Sequence, residues 1–163
     1  MEGSEKVCKP SVSKTLKHEL VHLIVSIGVA IFMQVTYGDI LVSIFTFALA
    51  MFLDADHLFD YCSHLYKNEG GISGLSKFSA KEFLSGAYFQ KWQKFITPLH
   101  AWEIAIVSLL LYFLWLPYPV FMSIVLALSS HYLVDYFTND VNKKAYFIIY
   151  RAKNGFVKKA ISS

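Results

Sequence analysis

Histidine and carboxylate side chains recur in this sequence at spacings that suit a divalent cation. His131 and Asp135 are four residues apart, and so are His18 and His22. Side chains at this spacing lie on one face of a helix, so both members of each pair project in the same direction. Imidazole and carboxylate groups without a thiolate favour zinc, manganese or iron over copper(I) or calcium. These pairs predict a divalent metal site, with zinc as the first choice and manganese or iron as alternatives.

The candidate ligands come from distant parts of the chain but fall inside or beside apolar stretches. Ionisable groups in such surroundings are costly unless they are paired, hydrated or coordinated, so each one needs an explanation. A single histidine there is usually a satisfied core residue, and a carboxylate at the water boundary, such as Asp60, is usually solvated. Taken together the groups favour a shared site for one or two metal ions. The predicted ligands are His22, Asp56, His57, His100, His131 and Asp135.

Two further carboxylates are candidates for catalysis. Asp54 lies two residues before Asp56, and Glu103 lies three residues after His100. A bound cation lowers the pKa of its water, and a nearby carboxylate can accept the released proton. Asp54 could instead orient a histidine, as partners of metal-bound imidazoles commonly do. Glu103 could also serve as a ligand, so both alternatives stay open.

Four apolar stretches must position these residues, in a chain of 163 residues of which 55% are hydrophobic. We predict an all-α fold: an integral membrane bundle of four short transmembrane helices, paired as two hairpins, in a single domain spanning residues 1–163. Gly38 and the Pro117–Pro119 segment suit the tight turns of the hairpins. The helices are predicted over residues 16–37, 40–57, 100–116 and 119–138.

The placement of basic residues predicts the orientation in the cell membrane. All 15 lysines and arginines lie before or at the very start of the first helix, between the second and third, or after the fourth, and none lies in a hairpin turn. Basic residues accumulate in cytoplasmic segments, so both termini and the middle loop should be cytoplasmic. The first and third helices then begin, and the second and fourth end, at the cytoplasmic side. All the candidate ligands are therefore predicted to meet at one depth.

The segments outside the four helices are predicted to contact membrane lipids rather than nucleic acid. In the loop over 63–97, Ser79 and Glu82 have the spacing of a capping box, which predicts a helix from Ala80 to Ile96. Its apolar residues recur at three- and four-residue steps, as in a helix lying on a membrane surface or packing on a soluble-side partner. The basic tail over 141–163 is also expected on anionic lipid. The sequence leaves the oligomeric state open.

The motifs that carry the candidate ligands resemble the YdjM-like family of predicted membrane-bound metal-dependent hydrolases. The similar features are the early His22, the Leu53–His57 stretch with its Asp-x-Asp-His pattern, His100 before a later helix, and the His131–Thr138 stretch with its His-x-x-x-Asp-x-x-Thr pattern. The resemblance covers about Leu20 to Thr138 and implies a metal-dependent hydrolase in a membrane. In this chain Leu53 replaces a common proline, and the stretch around His100 lacks a histidine and an arginine typical of that family.

The leading functional hypothesis is a membrane-bound metal-dependent hydrolase at the cytoplasmic face, acting on a lipid ester or phosphodiester. The alternative is a metal-binding membrane protein without catalysis, such as a sensor, a transporter or a structural protein. A through-pathway for transport is disfavoured, since the outer halves of the helices, for example Leu41 to Phe47, offer almost no polar groups. A soluble helical bundle with ordinary buried histidines is a third interpretation, which the absence of basic residues from both hairpin turns counts against.

Overall fold

The computed structural model describes residues 12–84, 95–114, 118–139 and 142–157. These residues form helices joined by short connections, without a β-strand in the described ranges, which confirms the all-α class. Short 3-10 turns lie at Leu53–Ala55 and Lys143–Tyr146. The helices are α1 (Val12–Tyr37), α2 (Ile40–Met51), α3 (Asp56–Asn68), α4 (Ile72–Leu75), α5 (Ala80–Leu84), α6 (Trp102–Leu114), α7 (Pro119–Thr138) and α8 (Ile148–Lys153).

Helix α7 is the centre of the bundle, because it packs against α1, α2 and α6, while α1 also packs against α2. The predicted hairpins are therefore present as α1–α2 and α6–α7. In the first turn Gly38 has a φ of +68°, which glycine adopts without strain, and the Asp39 carboxylate accepts hydrogen bonds from the N–H groups of Leu41 and Val42. The second turn is described only from Tyr118, since residues 115–117 lie outside the described ranges.

Small side chains fill many of the contacts between these helices, together with a few large ones such as Met33, Leu128 and Tyr132, and many other large apolar side chains lie outside. The buried hydroxyls of Ser26, Thr46 and Ser123 each donate to a carbonyl four residues earlier in the same helix. Small residues let helix backbones approach closely, and this is the usual packing of helices in lipid. The exposed side chains include Ile24, Ile31, Val35, Leu41, Phe113 and Leu114.

Two helical segments, Lys17–Tyr37 and Pro119–Thr138, are long and apolar enough to cross a membrane. Helix α2 and the segment Leu53–Asn68 would form a third span if they are counted together, although they are bent by 54°. Helix α6 is apolar but has only 13 residues. Length and composition thus support two or three spans within the described residues, and the predicted set of four is not confirmed.

The predicted second helix over 40–57 breaks before it reaches the Asp56–His57 pair. Helix α2 ends at Met51, and α3 starts at Asp56 after the 3-10 turn. Aspartate competes with the backbone for hydrogen bonds inside a helix and is favourable in a first turn, where Asp56 lies. Helix α3 then continues to Asn68, well into the predicted loop over 63–97.

The predicted helix from Ala80 to Ile96 is present at its start. Helix α5 covers Ala80–Leu84, residues 85–94 lie outside the described ranges, and residues 95–97 are not helical. Half of the predicted capping box is confirmed, because the N–H of Glu82 donates to the Ser79 hydroxyl over 3.2 Å. The Glu82 carboxylate instead accepts a hydrogen bond from the hydroxyl of Tyr61 on α3.

Candidate metal centre

The ends of the bundle helices bring five histidine rings into one continuous row. Ring centroids are 4.5 Å apart for His18 and His22, and 4.1 Å apart for His22 and His131. The row continues from His131 to His100 at 5.3 Å and from His100 to His57 at 4.9 Å. The convergence that the sequence predicted for the start of α1, the end of α2, the start of α6 and the end of α7 is therefore seen in the structure.

Two of these histidines, His100 and His131, and two aspartates, Asp54 and Asp135, surround a common point. Asp54 Oδ1 lies 3.1 Å from His100 Nε2 and 3.5 Å from His131 Nε2. Asp135 Oδ2 lies 3.7 Å from each of the same two nitrogens. Ligands of a tetrahedral zinc ion at about 2.1 Å from the metal are about 3.4 Å from one another. The observed separations therefore fit the ligand set of one zinc-sized cation.

The tautomer of His131 is fixed by the backbone. Its Nδ1 lies 3.0 Å from the carbonyl oxygen of Ala50, which can only accept a hydrogen bond, so Nδ1 carries the proton. In the neutral ring Nε2 then has a free lone pair facing Asp54 and Asp135. This nitrogen is buried and forms no hydrogen bond. A ring whose far nitrogen donates to a carbonyl, while the near nitrogen is free, is the usual form of a metal ligand.

His100 is held in the same way by a carboxylate. Its Nδ1 lies within 3.1 Å of both oxygens of Asp56, and the N–H of Leu99 also donates to Asp56 Oδ2 over 2.9 Å. His100 Nε2 is buried and forms no hydrogen bond, although Asp54 Oδ1 is close. Asp56 is therefore placed to orient His100 toward the common point, as carboxylates do for metal-bound histidines.

The charge of the cluster also calls for a cation. Asp56 and Asp135 are buried, and the side chain of Asp54 is 36% exposed. Carboxylates removed from water are unfavourable unless a positive charge or hydrogen bonds compensate them. At the common point, neutral His100 and His131 with their protons on Nδ1 present only Nε2 lone pairs to Asp54 and Asp135, so a divalent ion would compensate both the negative charge and the lone pairs.

A second group of the same kind lies beside the first. His22 Nε2 is 3.2 Å from Asp135 Oδ1 and 3.1 Å from His18 Nε2. His18 Nε2 is in turn 3.5 Å from Asp135 Oδ1. His18 was left out of the predicted ligands, because its position at the water boundary suits plain solvation. The structure shows it in contact with two predicted ligands.

The positions of the two aspartates of the Asp-x-Asp-His motif do not match the roles that the sequence suggested for them. Asp54, predicted as a proton acceptor, lies at the common point with the two free nitrogens, and Asp56, predicted as a ligand, lies behind His100. His57 borders the site, with its Nε2 3.5 Å from Asp54 Oδ1. Asp56, His57 and His100 could also hold a cation together.

Glu103 belongs to none of the metal-binding groups among the described residues. Its carboxylate accepts hydrogen bonds from the N–H groups of Ile148 and Ile149, each over 3.0 Å, at the start of α8. These contacts satisfy N–H groups that a helix start leaves without an intrahelical partner. Its predicted catalytic role stays a prediction, and the structure offers a different explanation for this residue.

The loop that carries His100 is held from both sides by buried ionic groups. Asp60 accepts hydrogen bonds from the N–H groups of Ile96 and Thr97. The Arg151 guanidinium donates to the carbonyls of Ile96, Thr97 and His100 and to the hydroxyl of Thr97. Arg151 is only 2% exposed; burial lowers the pKa of its guanidinium, although nearby Asp56 and Glu103 act in the opposite direction.

The sequence analysis missed Arg151, which it treated as one of the basic tail residues. One signal was present, since Arg151 is the only arginine in a chain with 15 lysines and arginines. Arginine differs from lysine in its planar fork of five donors, which suits several fixed acceptors at once. A lone arginine among lysines therefore indicates a structural contact that lysine cannot make.

We expect Arg151→Met to destabilise the protein by on the order of 3 kcal/mol, because each hydrogen bond of a charged group contributes about 1.5–3 kcal/mol and the carbonyls would lose their donor. Thermal unfolding in detergent measures this change. Lys153→Met is the matched control, since Lys153 lies on the same helix and is exposed. Equal melting temperatures for both variants would show that Arg151 does not hold the His100 loop.

No protein-family model, curated protein or solved structure matches the chain. The resemblance to the YdjM-like hydrolases therefore stays a prediction. The buried cluster of histidines and aspartates that could hold a metal ion is a property of the chain itself.

Proposed function

We propose that this protein is a membrane-embedded, metal-dependent hydrolase that acts at the cytoplasmic face on a lipid ester or phosphodiester. One observation carries the proposal: the free Nε2 atoms of His100 and His131 meet the carboxylates of Asp54 and Asp135 in a mostly buried site. Zinc is the proposed ion, with manganese and iron as alternatives. Such a cation would activate water and polarise the bond to be cleaved.

Water access to the site favours hydrolysis over a sealed structural ion. Asp54 is the most exposed member of the first group, and His18 and His57 on either side of it are about one-fifth exposed. Asp54 touches the common point and solvent together, so it is the residue best placed to take a proton from a bound water. The other three members of the group are nearly inaccessible.

A lipid is the proposed substrate because the site lies at the helix ends, where headgroups would be in a bundle of four spans with cytoplasmic termini. An apolar cavity of about 400 Å³ lies beside α7, lined by Trp102, Leu133, Tyr136, Phe137, Lys143, Lys144 and Phe147. Trp102 is two residues from His100, and Tyr136 follows Asp135. The cavity therefore offers apolar walls and two lysines close in sequence to the metal cluster, as an acidic lipid would require.

The test is hydrolysis of fluorogenic lipid esters and phosphodiesters by the detergent-purified protein with added Zn²⁺ or Mn²⁺. We expect turnover that a chelator abolishes and the metal restores. Asp54→Asn should lower kcat by about 100-fold or more, as for loss of a general base. Asp39→Asn is the matched control, because asparagine also caps helices and Asp39 lies in the hairpin turn at the other end of α1.

A protein that binds metal but turns over neither substrate class would contradict the hydrolase and support the non-catalytic alternative. One observation favours that alternative: Asp54, His100, His131 and Asp135 already supply four ligands. Structural zinc sites use four protein ligands, whereas catalytic sites keep one position for water. Metal content and turnover must therefore be measured on the same preparation.

A further inference from the structure

We propose that the cluster holds two metal ions, the second bound by His18 and His22, with Asp135 bridging the pair. This inference rests on the proposed metal site and extends it to residues on α1. The second group offers its own three ligand atoms, and none of the nitrogens in it is needed by the first group. The assignment gives His18, which was not among the six predicted ligands, a place at the second ion.

The separations in the second group match those of a ligand set. The three edges of the triangle formed by His18 Nε2, His22 Nε2 and Asp135 Oδ1 measure 3.1, 3.2 and 3.5 Å. Ligands at about 2.1 Å from one tetrahedral ion are about 3.4 Å apart, so a single cation could contact all three atoms. Asp54 and Glu19 offer further oxygens near His18.

Asp135 divides its oxygens between the two groups. Oδ1 lies near His18 and His22, whereas Oδ2 lies near His100 and His131. A carboxylate with one oxygen toward each of two ligand sets is the arrangement of a bridging ligand. The ring centroids of His22 and His131 are 4.1 Å apart, so the two groups are in direct contact. Two ions held by them would be close neighbours, as in two-metal sites, where the ions are about 3.5–4 Å apart.

A hydrogen-bond network explains the second group less well. Two imidazole Nε2 atoms face each other at 3.1 Å, and both also face the same carboxylate oxygen. If both rings are neutral, a single proton between the two Nε2 atoms leaves no unshared donor for Asp135, and a proton on both nitrogens makes them repel. A cation at the centre of the triangle satisfies all three atoms at once.

The experiment is metal loading of the full chain in detergent with Zn²⁺ alone or Mn²⁺ alone, followed by elemental analysis. We expect two ions per wild-type chain and one per His18→Ala chain. Electron paramagnetic resonance of the Mn²⁺ form should show an exchange-coupled pair in the wild type and an isolated ion in His18→Ala. His64→Ala is the control, since His64 lies on α3 beside Asn68, outside the metal-binding groups of the described residues.

The outcomes separate this inference from the proposed function. One ion in the wild type that His18→Ala leaves in place would overturn the second site and leave the first intact. No ion in any variant would overturn both. Two uncoupled Mn²⁺ ions would overturn the bridge formed by Asp135. Folding of each variant is checked by its elution in size-exclusion chromatography, and His18, being partly exposed, is the ligand whose removal should disturb folding least.

Discussion

His131→Ala is expected to abolish tight binding at the first metal position, with a loss of affinity well beyond 100-fold. Residues that only orient a ligand already contribute about 10–100-fold to metal affinity, so removal of a ligand must cost more. His131 is buried, its tautomer is fixed by the Ala50 carbonyl, and its free Nε2 faces both Asp54 and Asp135. Titration against a competing chelator, together with elemental analysis, measures the loss.

Two further variants calibrate this result. Asp56→Ala should weaken binding by about 10–100-fold, because Asp56 orients His100 and lies behind it. Ser130→Ala should bind metal like the wild type, since the Ser130 hydroxyl donates to the Ala127 carbonyl on the same helix. An unchanged affinity in His131→Ala would remove the first site, and equal losses in His131→Ala and Asp56→Ala would place Asp56 among the ligands.

The parts of the fold that depend on local patterns were predictable. The bounds of α7 follow the prediction over 119–138, because Pro119 favours a first turn and the apolar run ends at Thr138. The meeting of His22 with Asp135 was also predictable, since the charge pattern fixes which helix ends share a side. Neither inference needed information about contacts between distant residues.

The assignment of individual ligands depended on where helix α2 ends, which the spacing of apolar residues does not predict. Asp54, rather than Asp56, faces the common point in a chain where α2 stops at Met51 and a 3-10 turn shifts the following residues around the axis. A continuous helix over 40–57 would have put them on other faces. The sequence contains both aspartates at the break, but the position of the break is set by packing and by hydrogen bonds to the loop before α6, which only the structure shows.

The support of the site was also beyond local inference. Arg151 and Asp60 hold the same loop although they are 91 residues apart in the sequence. Both contacts end on backbone atoms, which carry no signal in the sequence. The basic tail thus contributes a buried anchor to the loop of His100, in addition to any lipid contacts of its other lysines. The candidate metal cluster is therefore formed by residues of the bundle helices and their connections and supported by the segment that follows them.

The proposed membrane orientation gives an all-or-none prediction. After Cys8 and Cys62 are changed to serine, Tyr118→Cys should react with a membrane-impermeant maleimide in intact cells that express the protein. Lys153→Cys should react only after the cells are permeabilised. Tyr118 is exposed just before α7, in a turn region without basic residues, and Lys153 is exposed among the basic residues of the tail. The cysteine-free parent is the control for background labelling.

Each departure from this pattern has a definite meaning. Labelling of both positions in intact cells would place both ends of α7 outside and so contradict its span. Labelling of Lys153→Cys alone would invert the proposed side of the site, because Arg151 ties the C-terminal segment to His100. Labelling of neither position in intact cells would contradict a span by α7, the helix that carries His131 and Asp135. Since a charged cluster at one end of α7 and a charge-free turn at the other make the two ends chemically unlike, the expected result is labelling of Tyr118→Cys alone.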